Sequence, residues 1–184
     1  EKEIGPYLEK VKAMIRDAVR ENLGKSAIPS KYHNFFKQVV LATAWQESCF
    51  RQFIVHEEKL TFIRSYNNTS VGLMQINERV WRGIYNIQHL RWKIHYNVGA
   101  GVDILDHYFT KYALPEDKAL TSLGTDGLAA CIYAMYNGGP GQFSGFLKRR
   151  QRGKLYKTDR HFKEKYDWVK NNEWHRLSIC LIGK

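Results

Sequence analysis

The sequence predicts an all-α fold, mainly α with room for one small β-hairpin between residues 52 and 72, built as a single domain over 1–184. Three observations carry this. Most segments place apolar residues three and four apart, the spacing of one helix face. No segment gives a convincing apolar–polar alternation of strand length. The 184 residues, 43% hydrophobic and 14% aromatic, suffice to bury a core without staples.

In chain order, Pro6 opens the first helix (6–23), at a position where a missing N–H costs nothing. Tyr7, Leu8, Val11, Met14, Ile15, Ala18, Val19 and Leu23 form its stripe, and Gly24 stops it. A second helix spans 30–48, with Tyr32, Phe35, Phe36, Val39, Val40 and Ala44 on one face. Residues 49–71 are mixed, and Asn67-Asn68-Thr69-Ser70 marks a turn. Asn77 reads as the N-cap of a short helix. Asn97 reads as the N-cap of another, with Val98, Val102, Leu105, Tyr108, Phe109 and Tyr112 as its stripe. Asp126 precedes the apolar run Leu128–Met135, which breaks at Asn137-Gly138-Gly139-Pro140-Gly141 before Phe143, Phe146 and Leu147 resume a helix. The tail, 158–182, reads as more amphipathic helix, carrying Phe162, Tyr166, Trp168 and Val169.

The net charge of +11 draws the protein to a polyanion: nucleic acid, an acidic membrane surface or an anionic polysaccharide. Much of the excess lies in the extension 148–184, from Lys148-Arg149-Arg150-Gln151-Arg152-Gly153-Lys154 onward. No nucleic-acid recognition motif accompanies it, so no nucleic acid is expected. No apolar run approaches the ~18 residues of a membrane span. Three cysteines allow one disulfide at most; Cys49 and Cys131 read as small buried residues, and with Cys180 they fit no metal spacing. The seven histidines form no metal-binding cluster, so neither metal nor cofactor is expected.

Glu47 stands out. The stripe of the second helix, continued by three from Ala44 and by seven from Val40, lands on it. A carboxylate at the end of a core-facing stripe loses water, which disfavours its charged form and leaves it a proton to donate near neutral pH. The plain alternative is a Glu that reaches solvent where the helix ends.

Three motifs follow in order: Gln46-Glu47-Ser48, then Ser70-Val71-Gly72-Leu73-Met74-Gln75-Ile76-Asn77, then Ala134-Met135-Tyr136-Asn137-Gly138-Gly139-Pro140-Gly141. Singly each is ordinary. Together they resemble the catalytic domain of the soluble lytic transglycosylases, the SLT-type enzymes related to goose-type lysozyme, over about residues 36–147. The resemblance implies a lysozyme-like SLT fold with a substrate cleft, and cleavage of the β-1,4 bond between N-acetylmuramic acid and N-acetylglucosamine. It places Glu47 at the single catalytic Glu. Ser48, Met74, Gln75, Tyr136 and Asn137 fall on positions that line or face the cleft, with Tyr136 able to bond the sugar or Glu47 itself.

A glycosidic oxygen leaves poorly until protonated, so one neutral carboxylic acid is the main requirement. Goose-type lysozymes carry an Asp directly after the Met-Gln-apolar triplet, where this chain has Asn77, and a second acid at the offset of Tyr66. With no partner acid, the resemblance implies a non-hydrolytic product, a 1,6-anhydromuramoyl end, with Glu47 acting as acid and then base. Two alternatives stay open: a hydrolytic goose-type muramidase, and a non-catalytic glycan-binding or structural component of an envelope-spanning assembly. Peptidoglycan glycan strands are the expected partner of a monomer, with peripheral envelope association. The resemblance implies a location in the periplasm or cell envelope, reached by export; the chain from Glu1 shows no signal segment, so the targeting segment is expected to have been removed.

Overall fold

The computed structural model describes residues 4–181, the side chains of 117–120 excepted. Helix α1 (Ile4–Leu23) begins two residues before Pro6, which therefore sits in the first turn, where backbone N–H groups have no helical acceptor. A 3₁₀ turn at Ser30–Tyr32 leads into α2 (His33–Ser48). The expected single stripe understates α2: from Val39 to Trp45 every residue is buried, because α1 and three later helices surround it. A helix apolar all round is one enclosed by its neighbours.

Strands β1 (Phe53–His56) and β2 (Lys59–Phe62) form the hairpin, with Phe53 opposite Phe62 and Val55 opposite Leu60. Glu57 and Glu58 make its two-residue turn in left-handed backbone, φ 49° and 60°. β3 (Ser70–Val71) pairs with β4 (Ile76–Asn77), and residues 72–75 are the bend between them. Helix α3 (Glu78–Trp81) is capped by Asn77, whose Oδ1 accepts from the N–H groups of Arg79 at 3.0 Å and Val80 at 3.2 Å. The short α4 (Ile87–Trp92), capped by Asn86, was not foreseen. Its Trp92 packs against Phe53 and Phe62.

Asn97 is not a cap. Helix α5 (Ile94–Tyr108) starts three residues earlier, and Asn97 is wholly buried inside it with long-range partners described below. A π turn, Phe109–Ala113, follows. Helix α6 (Asp117–Gly138) bends at Gly124, φ 62°, so the apolar run after Asp126 is its second arm. α7 (Gln142–Gln151) resumes after the glycine-rich break. The tail is three pieces rather than one helix: α8 (Lys157–Lys170), a 3₁₀ turn (Trp174–Leu177) and α9 (Ser178–Leu181), interrupted where Asn172 turns left-handed at φ 57°. The predicted end at Ile182 lies outside the described residues.

The tail folds back on the end of α2. Trp174 stacks on Trp45 with centroids 5.6 Å apart, Trp168 packs beside it, and Lys12 of α1 lies 4.3 Å over the Trp174 ring. This return brings Cys180 to Cys49, Cα atoms 6.2 Å apart, in a disulfide. Cys49 is thus a bridge rather than a small buried residue, while Cys131 is free and buried. No helix among the described residues is long and apolar enough to cross a membrane.

Candidate active site

Glu47 sits in the last turn of α2, half-buried at the floor of a cleft of about 80 Å³. Ser70, Gln75, Ile76, Asn77 and Trp81, from β3 through α3, line it together with Ile104, Tyr136 and Asn137 from α5 and α6. Larger hollows lie between α1 and α5 (about 300 Å³) and between α6, α7 and α8 (about 560 Å³), but neither contains Glu47. Chemistry, not volume, picks out the smaller one.

Burial pushes the Glu47 carboxyl up to about 7, and a hydrogen bond from Tyr133 restrains the rise. The negative end of the α2 dipole acts in the same direction as burial. The Tyr133 hydroxyl donates to Glu47 Oε1 at 2.9 Å. Among the described residues lining the cleft, Glu47 is the one acid. Asn77 occupies the place of a goose-type Asp, and its oxygen is engaged in capping α3. Tyr66 is fully exposed, and Glu57 and Glu58 stand out at the hairpin tip.

The bend 72–75 is fixed by an almost complete set of polar contacts. Gly72 N–H donates to the Ile63 carbonyl at 2.9 Å. Leu73 N–H donates to Gln52 Oε1 at 2.8 Å, and Met74 N–H to Asn97 Oδ1 at 2.7 Å. The carbonyls accept in turn: Val71 from Asn97 Nδ2 at 2.9 Å, Leu73 from Ser48 Oγ and Met74 from Tyr136 Oη, both at 2.6 Å. Buried backbone groups demand this accounting. Glycine is required at 72, where φ is 78° and a Cβ would lie 2.2 Å from Asn97 Nδ2. It is required at 101 too, where a Cβ would strike the Met74 side chain at 2.6 Å.

The bend ends by forcing Gln75 into left-handed backbone, φ 49°, with its Nε2 bonded to the Gly72 carbonyl at 2.8 Å. A non-glycine residue held there stores strain, and such strain clusters at functional sites.

Of the six residues singled out from sequence, the fold therefore brings Glu47, Gln75, Tyr136 and Asn137 to one cleft. Ser48 and Met74 stand behind the wall: Ser48 is 4% exposed and ties α2 to Leu73, and the Met74 side chain is wholly buried. Tyr136 bonds the Met74 carbonyl, not Glu47; the partner of Glu47 is Tyr133. Tyr133 lies one helical turn before Tyr136, a spacing that puts both on one face of α6 and was the available signal. Gln52 and Asn97, which clamp the bend, carry no local signature.

The family model described as Transglycosylase SLT domain matches residues 27–158, a span that holds Glu47, the 72–75 bend and Tyr136-Asn137. No curated protein and no solved structure matches the chain.

Proposed function

Because this chain belongs to the transglycosylase SLT domain family, whose activity is directed at peptidoglycan, we propose that it is a lytic transglycosylase with Glu47 as its single acid and base. The observation that supports this best is a cleft with one carboxyl, poised at about 7, and no second acid among the described lining residues. A hydrolytic enzyme needs a base to direct water, and an electron-poor anomeric carbon is usually met by a second carboxylate.

Glu47 protonates the oxygen bridging muramic acid C1 to glucosamine C4. The C1–O bond breaks, and the glucosamine leaves as an alcohol. The 2-acetamido group of the substrate shields C1. Glu47, now a carboxylate, takes the proton of the C6 hydroxyl while O6 bonds to C1, closing a 1,6-anhydro ring and restoring the acid. Water is neither consumed nor released. The internal hydroxyl gains from orientation, worth about 7–11 kcal/mol in the best-placed model reactions. In this reading Gln75 and Asn137, both lining the cleft, hold polar groups of the sugars.

The partner is the glycan strand of the cell envelope, approached by a monomer of charge +11. The Cys49–Cys180 bond fits an oxidising compartment.

Mass spectrometry of digested sacculi tests the reading: anhydro ends weigh one water less than reducing ends. Reducing ends as the main product overturn the single-carboxyl mechanism. Glu47→Gln keeps the shape and removes the proton donor; a rate equal to the parent's shows that Glu47 is not the acid.

A further inference from the structure

We propose that Tyr133, braced by Phe162 of α8, is a positioning residue that occupies Glu47 Oε1 and so leaves Oε2 as the oxygen presented to the glycan. The role of Glu47 as acid rests on the reading above; the geometry of the brace does not.

The Tyr133 hydroxyl reaches Glu47 Oε1 at 2.9 Å across 86 residues of sequence. Its ring is 2% exposed and stacks face to face on Phe162, centroids 4.3 Å apart and planes 4° from parallel. Phe162 is wholly buried and in turn stacks on Tyr166, 6.2 Å away. A phenol between a carboxyl on one edge and an aromatic slab on its face has no freedom to swing. Phe162 and Tyr166 lie beyond residue 158, where the family match stops. Tyr133 itself lies inside the matched segment, so it is the brace behind it that comes from outside.

Few other groups face Glu47. From α6 come Tyr133 and Tyr136; behind Tyr136 stand Tyr108 of α5 and Tyr85, which follows α3. Among the described residues, the polar groups of the β3–β4 wall are Ser70, Gln75 and Asn77. On α8, the buried Asp159 is paired with Arg149 at 3.2 Å. Burial raises the phenols of Tyr133 and Tyr136 well above their ordinary value, so both are neutral donors wherever the enzyme works. A phenol donating to a carboxyl favours the ionised form, so removing it should strengthen the acid's hold on its proton.

The test is Tyr133→Phe, which removes one oxygen from the site, beside Phe162→Leu, which loosens the ring. The Glu47 carboxyl is titrated by carbon NMR in the free protein, with the signal assigned through Glu47→Gln. Turnover on purified glycan strands is then followed against pH. Tyr133→Phe is expected to raise the midpoint by about one unit from about 7. It should also lower kcat about tenfold with KM within about twofold. Phe162→Leu should move both in the same direction by less. Val169→Ala, a buried change on the same helix, should cost stability and leave the midpoint alone.

Unmoved midpoints in Tyr133→Phe and Phe162→Leu overturn the proposal. If Tyr133→Phe does not fold, Phe162→Leu decides by itself. A parent protein without turnover sinks the proposed function, while the NMR midpoints still decide the brace.

Discussion

A carboxyl that keeps its proton at neutral pH is a burden on the fold that holds it. The Glu47 side chain titrates near 7 in the folded protein and near its ordinary 4.5 in the unfolded chain. Between those values the native state binds a proton that the unfolded state has released. Its favourable contribution is therefore complete below 4.5, falls as pH rises through the interval and is gone above about 7. The difference amounts to about 3 kcal/mol. Glu47→Gln has no such dependence. The variant should match the parent at pH 4 in urea unfolding and exceed it by about 3 kcal/mol at pH 8; an equal gap at both values would place the carboxyl in water. On the proposed mechanism the same titration governs the rate. A general acid must hold its proton in the free enzyme, so kcat/KM should drop tenfold per pH unit above about 7. A flat profile to pH 9 would contradict that assignment.

The element that gives the acid a cleft is the bend 72–75, and Asn97 on α5 is its main clamp. One amide satisfies Met74 N–H, the Val71 carbonyl and the Leu90 carbonyl at 2.7–3.0 Å. Asn97→Leu keeps the volume but removes all three bonds; the Leu90 carbonyl keeps Gln52 Nε2 at 3.0 Å, whereas the buried Met74 N–H loses its acceptor, which should cost about 3 kcal/mol. The bend carries Gln75, so kcat/KM should fall at least about tenfold. Glu47, held from α6, should keep its midpoint, and a shifted midpoint would mean that the two supports are not separate. Asn97 shows where sequence reading stops. An Asn before an apolar run looks like a cap, and nothing nearby says that a bend 23 residues earlier needs a donor and an acceptor. Gln52 was hidden for the same reason, with partners 21 and 38 residues away, while Tyr133 showed only its helical spacing from Tyr136. Glu47 was visible because its signal is local, a charge where the helical period asks for an apolar residue. The longer helices and the cap at Asn77 were legible because periodicity and capping are written within a few residues, whereas the short α4 and the breaks in the tail were not, and the hairpin was only allowed for. Gln75, Tyr136 and Asn137 became legible as a set only through the family resemblance.

At the scale of the molecule, the two ends of the chain meet at the end of α2, and the Cys49–Cys180 bond closes a loop of 131 residues there. Constraining so long a loop in the unfolded chain is worth about 5 kcal/mol in the chain-entropy account. Cys180→Ser should lower unfolding stability by up to that amount, equally with or without reductant. The parent should weaken only when reduced, and insensitivity of the parent would mean the bond does not form. The other molecular property is charge. On the proposed function a protein of +11 should concentrate on a carboxylate-rich wall by long-range attraction, whereas the described residues lining the cleft include no cation. Binding and chemistry should therefore separate in salt. Raising ionic strength from about 0.1 M to about 1 M shortens the screening length from about 10 Å to about 3 Å. Retention on isolated sacculi should fall steeply over that range, while turnover of short glycan fragments stripped of peptides changes little. If both fall together, the charge acts inside the site; if neither does, the basic surface has another use.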